Sequence, residues 1–413
     1  MAERTIHAAV RMSGRDPHED GRSATPLELL FDLTFVIAFG AAANELAHYL
    51  AAGHVATGAI GFVYAAFSVA WAWINFSWFA SAYDTDDWVF RLITMVQMVG
   101  VLILALGLPV LVESIDAGGV VDNSVMVAGY VLMRVAMVAQ WLRAARQDPA
   151  HRGACLTYAV AILVAQVGWI GLAVAQTELA ATLVCAALLM LVELAGPLIA
   201  EKRKGGTPWH AAHIAERYGL LVIITLGEGL LGTVAAIGAV VQSEGWSASV
   251  VVLGLVGTAT TFGMWWVYFI LPSARVLAVH RRRSFGWGYW HVVLFGAAVA
   301  VGAGLHAAAY FIEHHSALDE TATVLAVAVP LTLYVLFILG IYLGLTRSFD
   351  PFHLLLVVGS LLCVVASVGL AAAGAALGWA LAVLALTPWV VVVGFETVGH
   401  RRGAEAVASV TAA

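Results

Sequence analysis

The sequence predicts an all-α polytopic membrane protein with about twelve transmembrane helices, and three observations lead there. Hydrophobic residues make up 62% of the 413 residues and charged residues 11%, against roughly a quarter charged in a soluble domain. Apolar runs of about 20 residues or more follow one another, each long enough to cross a bilayer. The basic residues sort by side of the breaks between those runs, as membrane topology requires.

Residues 1–23 mix Arg4, Arg11, Arg15 and Arg22 with acids and small residues and lack the apolar core of a cleavable signal. They read as a short cytosolic tail, with the first span as the insertion signal. Span 1 covers about 26–50 and opens at Pro26, whose missing N–H suits a first helical position. Span 2, about 55–79, ends in WAWINFSWF. The turn YDTDDW leads to span 3, about 89–112, and ESIDAGGVVDN to span 4, about 124–144. Spans 5 and 6, about 154–176 and 178–200, form a tight pair around Gln176 and Glu178. The loop EKRKGGTPW is the clearest linker, with charge, two glycines and a proline. Span 7 covers about 210–241, and its first turns up to Arg217 look interfacial. Span 8 (about 247–271) carries GMWWVYFILP, and a basic loop leads to span 9 (about 289–312). Spans 10, 11 and 12 cover about 321–345, 352–374 and 378–399. A polar tail begins at His400.

With the N-terminus inside, all of the 20 Lys and Arg residues except Arg134 and Arg217 fall in inner breaks or tails. The outer breaks hold only acids: Glu113, Asp116, Asp122, Glu178, Glu244, Glu313, Asp319 and Glu320. One span too many or too few would scramble this alternation. The expected organisation is a tail (1–23), a six-helix half (24–200), a basic cytosolic linker (201–209), a second half (210–399) and a cytosolic tail (400–413). An even number of spans per half makes any repeat parallel. WAWINFSWF and MWWVYFILP echo one another across the halves, pairing Trp73 with Trp266 and Phe76 with Phe269.

The polar residues inside spans carry the functional argument, because charge in hydrocarbon costs several kcal/mol unless it meets protein, water or a partner. Glu28 and Asp32 are four apart and share a helical face. They could line a polar cavity as proton acceptors or cation ligands, or cap the helix and pair with inner-face arginines. Arg217 and Glu228, eleven apart in span 7, share a stripe but lie too far apart to bond. Arg217 is therefore expected to pair with Asp32 or Glu28, leaving Glu228 deeper as a titrating group. Its neighbours Gly227 and Gly229 allow a close helix approach. Arg134 needs an acid or a route to the interface. Asn75 is a further candidate, whereas Glu193 and Glu396 read as interfacial. His210, His213 and Glu216 form H-x-x-H-x-x-E, a soft metal pattern without H-E-x-x-H spacing, and Glu313-His314-His315 is another. Cys155, Cys185 and Cys363 lack metal-motif spacing and read as small packed core residues. The run His280 to Arg283 is too short for nucleic acid and reads as a topology signal or an anionic-lipid contact.

PLELLFDLTFVIAF (Pro26 to Phe39) and ERYGLLVIITLGEGLLG (Glu216 to Gly232) resemble the two signature stretches of the bacterial low temperature requirement protein A family. WAWINFSWF and the acidic turn before Arg91 are similar to that family's second span. The resemblance runs from about Ala24 to Gly399 and implies a link to growth in the cold, not a reaction. It places emphasis on Glu28, Asp32, Glu216, Arg217 and Glu228, and assigns no cofactor.

The leading functional reading is a multi-pass protein of the bacterial cytoplasmic membrane that acts as a transporter or permease, with proton coupling as one option. Its partners are the bilayer and a small-molecule or ion substrate, and no nucleic acid. The rival readings are a membrane-embedded enzyme on a lipid or hydrophobic substrate, and an envelope or cold-stress protein without turnover.

Overall fold

A computed structural model describes residues 9–203 and 205–412. The expected inner charges Arg4 and Lys204 lie outside the described residues, as does the side chain of Glu244. Among the described residues fourteen α-helices follow in order. They are α1 (Pro26–Ala51), α2 (Val55–Tyr83), α3 (Trp88–Asp116), α4 (Ser124–Gln147), α5 (Arg152–Ala175), α6 (Leu179–Ala200) and α7 (Ala211–Glu244). Then come α8 (Ala248–Phe269), α9 (Ser273–Val279), α10 (Ser284–Ile312), α11 (Glu320–Thr346), α12 (Pro351–Ala372), α13 (Leu377–Gly394) and α14 (His400–Thr411). Among the described residues 12 helical segments are long and apolar enough to cross a membrane, and no strand forms. Large apolar side chains face outward along these helices, such as Leu92, Val99 and Leu106 on α3 and Val160, Val164 and Val167 on α5. A soluble protein rarely exposes such continuous apolar surface; here it is the surface that lipid would cover.

Local chemistry sets the ends. The Thr25 side chain accepts from the Glu28 N–H at 3.3 Å, while Glu28 Oε2 accepts from the Thr25 N–H at 2.8 Å. This reciprocal capping box starts α1 with Pro26 at its first position. Asp87, Asp319 and Asp350 cap α3, α11 and α12 through their side chains. The polar tail from His400 is helical through Thr411. The HRRGAEAVASVT run has no proline, and its alanines favour helix.

The chain packs as two compact units, one of Met1–Ala41 with Trp71–Arg217 and the other of Ala42–Ala70 with Tyr218–Ala413. Each is discontinuous, with α1, α2 and α7 contributing residues to both. In the first unit, α3 to α6 pack as successive neighbours. Gly129 of α4 lets that helix approach α3 so closely that a Cβ there would stand 2.4 Å from the Leu104 amide nitrogen. Residues 10–15 lie as a strap against the helices that follow. Val10, Met12 and Gly14 donate backbone N–H groups to Asp87, Gln147 and Asp148, Arg15 N–H reaches the Ala82 carbonyl, and Met12 is fully buried. In the second unit, α10 is rich in alanine and glycine and is the most buried helix. A Cβ at Gly302 would lie 2.4 Å from the Glu228 carbonyl carbon, so α7 and α10 touch backbone to backbone there.

The echoed aromatic runs differ in burial, and the expectation for the cysteines changes. Trp73 and Phe76 are fully buried, whereas Trp266 and Phe269 are about two-fifths exposed, so the paired aromatic runs are not packed alike. Cys155 is buried and donates to the Tyr83 hydroxyl, but Cys185 is exposed and Cys363 half-buried. Cys185 lies on α6, which turns most of its length outward.

Candidate functional site

Three helices each contribute a pair of residues four apart, and all six side chains converge in the first unit. Glu28 and Asp32 come from α1, Trp73 and Ser77 from α2, and His213 and Arg217 from α7. Spacing of four puts each pair on one helical face. Arg217 grips Asp32 with both guanidinium ends, Nη1 to Oδ2 at 2.9 Å and Nη2 to Oδ1 at 2.8 Å. Trp73 Nε1 donates to the same Oδ1 at 2.7 Å. Arg217 Nη2 also reaches Ser77 Oγ at 3.4 Å, and its Cζ lies 5.5 Å from the Trp73 ring centre. His213 Nε2 meets Glu28 Oε2 at 3.2 Å. Phe31, stacked on Phe76 with centroids 3.8 Å apart, and Phe35 wall the cluster with apolar surface. Glu28, His213 and Arg217 are 0% exposed and Asp32 is 1% exposed, so the first turns of span 7 bury polar side chains on one face while Glu216 stays exposed on another.

Charge balance gives this arrangement its chemistry. The guanidinium is permanently charged. With both carboxylates ionised and His213 neutral, the four groups carry one net negative charge. They become neutral only with one more proton, on His213 or on a carboxyl. A low-dielectric interior makes that difference matter. Three buried atoms have no hydrogen-bond partner among the described residues: Glu28 Oε1, Arg217 Nε and His213 Nδ1. The first two stand 4.0 Å apart, near enough for a small shift to join them.

A second buried ion pair, which sequence reading missed, lies in the same unit. Arg134 Nη2 meets Glu193 Oε2 at 3.1 Å and also donates to the Tyr130 hydroxyl. Trp71 Nε1 donates to Glu193 Oε2 at 2.9 Å, and Tyr130 donates to Oε1 at 3.2 Å. Glu193 is 5% exposed, not interfacial. It lies about two turns from the end of α6, roughly 10 Å along the axis, which is too deep to reach the helix end. Trp71 and Trp73, two residues apart on α2, project to roughly opposite sides. Each indole N–H satisfies a carboxylate, one in each cluster. The signal was the pair of indole N–H groups in the WAWINF run, which sequence reading did not match to any carboxylate.

The remaining candidates stand apart. Glu228 is buried at 6% exposure in the second unit and makes no hydrogen bond or ion pair among the described residues. Asn75 donates to the Trp71 carbonyl of its own helix at 2.8 Å and takes no part in the cluster. Glu216 is exposed; adjacent helical residues point about 100° apart, so Arg217 facing inward turns Glu216 outward. His210 contacts the Glu19 carbonyl and His213 contacts Glu28. Among the described residues no group of three or more His, Cys, Asp or Glu side chains could hold a metal ion.

Outside the spans, charged groups close the end of this unit. Burial pushes the Asp87 carboxyl up, but Arg143 and the Phe90 and Val10 N–H groups hold it below the usual range. Asp148 behaves alike, held down by His151 and the Gly14 and Ala150 N–H groups against burial. Asp84 is different. Burial and the charge of Glu28 push it up to about 6.

No solved structure matches this chain. An uncharacterised protein of Rhizobium meliloti (strain 1021) is 28% identical over 265 residues, spanning 62% of this chain and 60% of that relative. Residues 23–388 match the family described as bacterial low temperature requirement A protein. That match takes in both signature stretches and every residue of the two buried clusters. The chain belongs to the bacterial low temperature requirement A protein family.

Proposed function

We propose that the protein is a proton-coupled secondary transporter of the bacterial cytoplasmic membrane, with both termini cytosolic. The supporting observation is the Glu28–Asp32–His213–Arg217 cluster, buried in helices that would cross the bilayer and neutral only when it holds one proton more. Arg217 and Trp73 fix Asp32 in place by three hydrogen bonds. Glu28 and His213 share a looser contact and keep unpartnered atoms, so the exchangeable proton belongs to them. Adding that proton weakens the hold of Glu28 on the neighbouring guanidinium, which gives the helices two charge states to respond to. Glu228, without a polar partner, is the second proton-binding group. The sequential halves 24–200 and 210–399 belong to the same proposal, with α1 and α7 as their first helices. The sorting of Lys and Arg to one set of breaks supports the orientation.

The test is reconstitution of purified protein into liposomes carrying a trapped pH indicator. Imposed pH and ion gradients should drive proton flux, and Asp32→Asn or Glu228→Gln should abolish it while leaving the protein monodisperse. Absence of flux in the native protein under several gradients would sink the proposal.

A further inference from the structure

Asp84 ends α2, just beyond its last residue, Tyr83, and outside the spans. It is 4% exposed. Its Oδ1 accepts the Asp86 N–H at 2.8 Å, which Asp86 delivers from a left-handed backbone conformation, φ 48°. Its Oδ2 is buried with no hydrogen-bond partner. An ionised carboxylate with one oxygen unsatisfied in such a place is costly, so the turn is built around a group that can hold a proton. The charged and titratable groups that face it come from every element around it. Glu28 comes from α1, and Arg15 and Arg22, with Glu19, come from the residues before it. Asp86 lies on its own turn and Arg91 on α3. His210 neighbours Glu19, and His213 contacts Glu28. Arg22 lies where it feels both carboxylates, Glu28 and Asp84. Its Nη2 is spent on the Ala80 carbonyl, and its buried Nε has no partner. Arg22 thus holds the chain before α1 down near Asp84 without a direct ion pair to it among the described residues.

Resting on the transporter reading, we infer that Asp84 is the group through which protons enter the Glu28–His213 pair from the cytosolic side. A proton arriving from the cytosolic side binds at its buried, unpartnered Oδ2. The O–H bond at Asp84 then breaks as a proton is gained at Glu28, whose Oε1 is also unpartnered. Asp84 is left as a carboxylate, and the inner cluster gains one positive charge and reaches neutrality. The elevated affinity of Asp84 for protons suits an uptake group working near neutral pH. Glu28 contributes to that elevation, so loading the inner pair eases the release of the next proton from Asp84.

Two measurements test this on the full chain. Difference infrared spectroscopy should find a carboxyl band titrating near pH 6 in the native protein and missing from Asp84→Asn. In proteoliposomes with pH varied on one side at a time, native proton flux should respond to the cytosolic side with a midpoint near 6. Asp84→Asn should lose that midpoint and slow about a hundredfold, the lower end of what a positioned proton carrier supplies; Asp84→Glu should recover both. Native flux with an unaltered midpoint in Asp84→Asn overturns the inference, as does a carboxyl band that survives the substitution. No flux in the native protein overturns the transporter reading instead, and the infrared titration still judges Asp84.

Discussion

At the scale of single residues, the central feature is how a permanent cation is neutralised among buried helices. Arg217 has Asp32 in a two-pronged grip and Glu28 at 4.0 Å. Arg217→Ala leaves two carboxylates facing one another out of water and should cost about 3–5 kcal/mol, the range for an orphaned buried charge. The double change Asp32→Asn with Arg217→Gln should restore much of that loss, read as thermal unfolding in detergent. A double variant no more stable than the worse single one would contradict the pairing. Asp84 gives a pH-dependent counterpart. The folded chain holds its proton more tightly than the unfolded chain, so its contribution to stability falls as pH rises from the ordinary 3.8 to about 6. Asp84→Asn should therefore stabilise the protein by about 3 kcal/mol at pH 7, and the gain should vanish below about pH 4. A gain that instead grows toward acid pH would contradict the cause assigned to Asp84. The Asp32–Arg217 pairing was legible from sequence because each residue is an intramembrane charge with few alternatives. The roles of His213 and Asp84 were not, because a polar residue near a span end reads as solvated until the strap and α7 are seen to cover it.

At the scale of elements, the twelve spans followed from apolar run length and charge sorting, both local signals, whereas the short α9 and the helical α14 did not. What stayed hidden was which face of each helix turns inward. Glu193 on α6 and Trp71 on α2 are 122 residues apart in sequence, and no periodicity in either helix announces the other. Close helix contacts are similarly non-local, and they make a prediction. Gly129→Ala would force a Cβ to 2.4 Å from the α3 backbone and should destabilise by about 1–3 kcal/mol, the usual cost of overpacking. Gly171→Ala on α5, with nothing within 4 Å, should be neutral or stabilise by up to about 1 kcal/mol through helix propensity. Equal effects at the two sites, by the same unfolding assay, would contradict the packing described.

At the scale of the whole molecule, the proposal joins an orientation to a function. If the basic breaks are cytosolic, cysteines placed at Ser348 and at Ser124 should react with a membrane-impermeant thiol reagent from opposite sides. The first should be protected in intact cells and the second labelled. Labelling of both from outside would contradict the orientation. The two units divide the chemistry, with both buried ion pairs in the first and the lone Glu228 in the second. The proposed proton-coupled cycle draws on both. The most direct measurement is proton flux through reconstituted native protein beside Asp32→Asn and Glu228→Gln at equal, verified incorporation. The account predicts flux in the native protein and none in either variant. Native flux that both variants retain, or no native flux under any gradient, would contradict it.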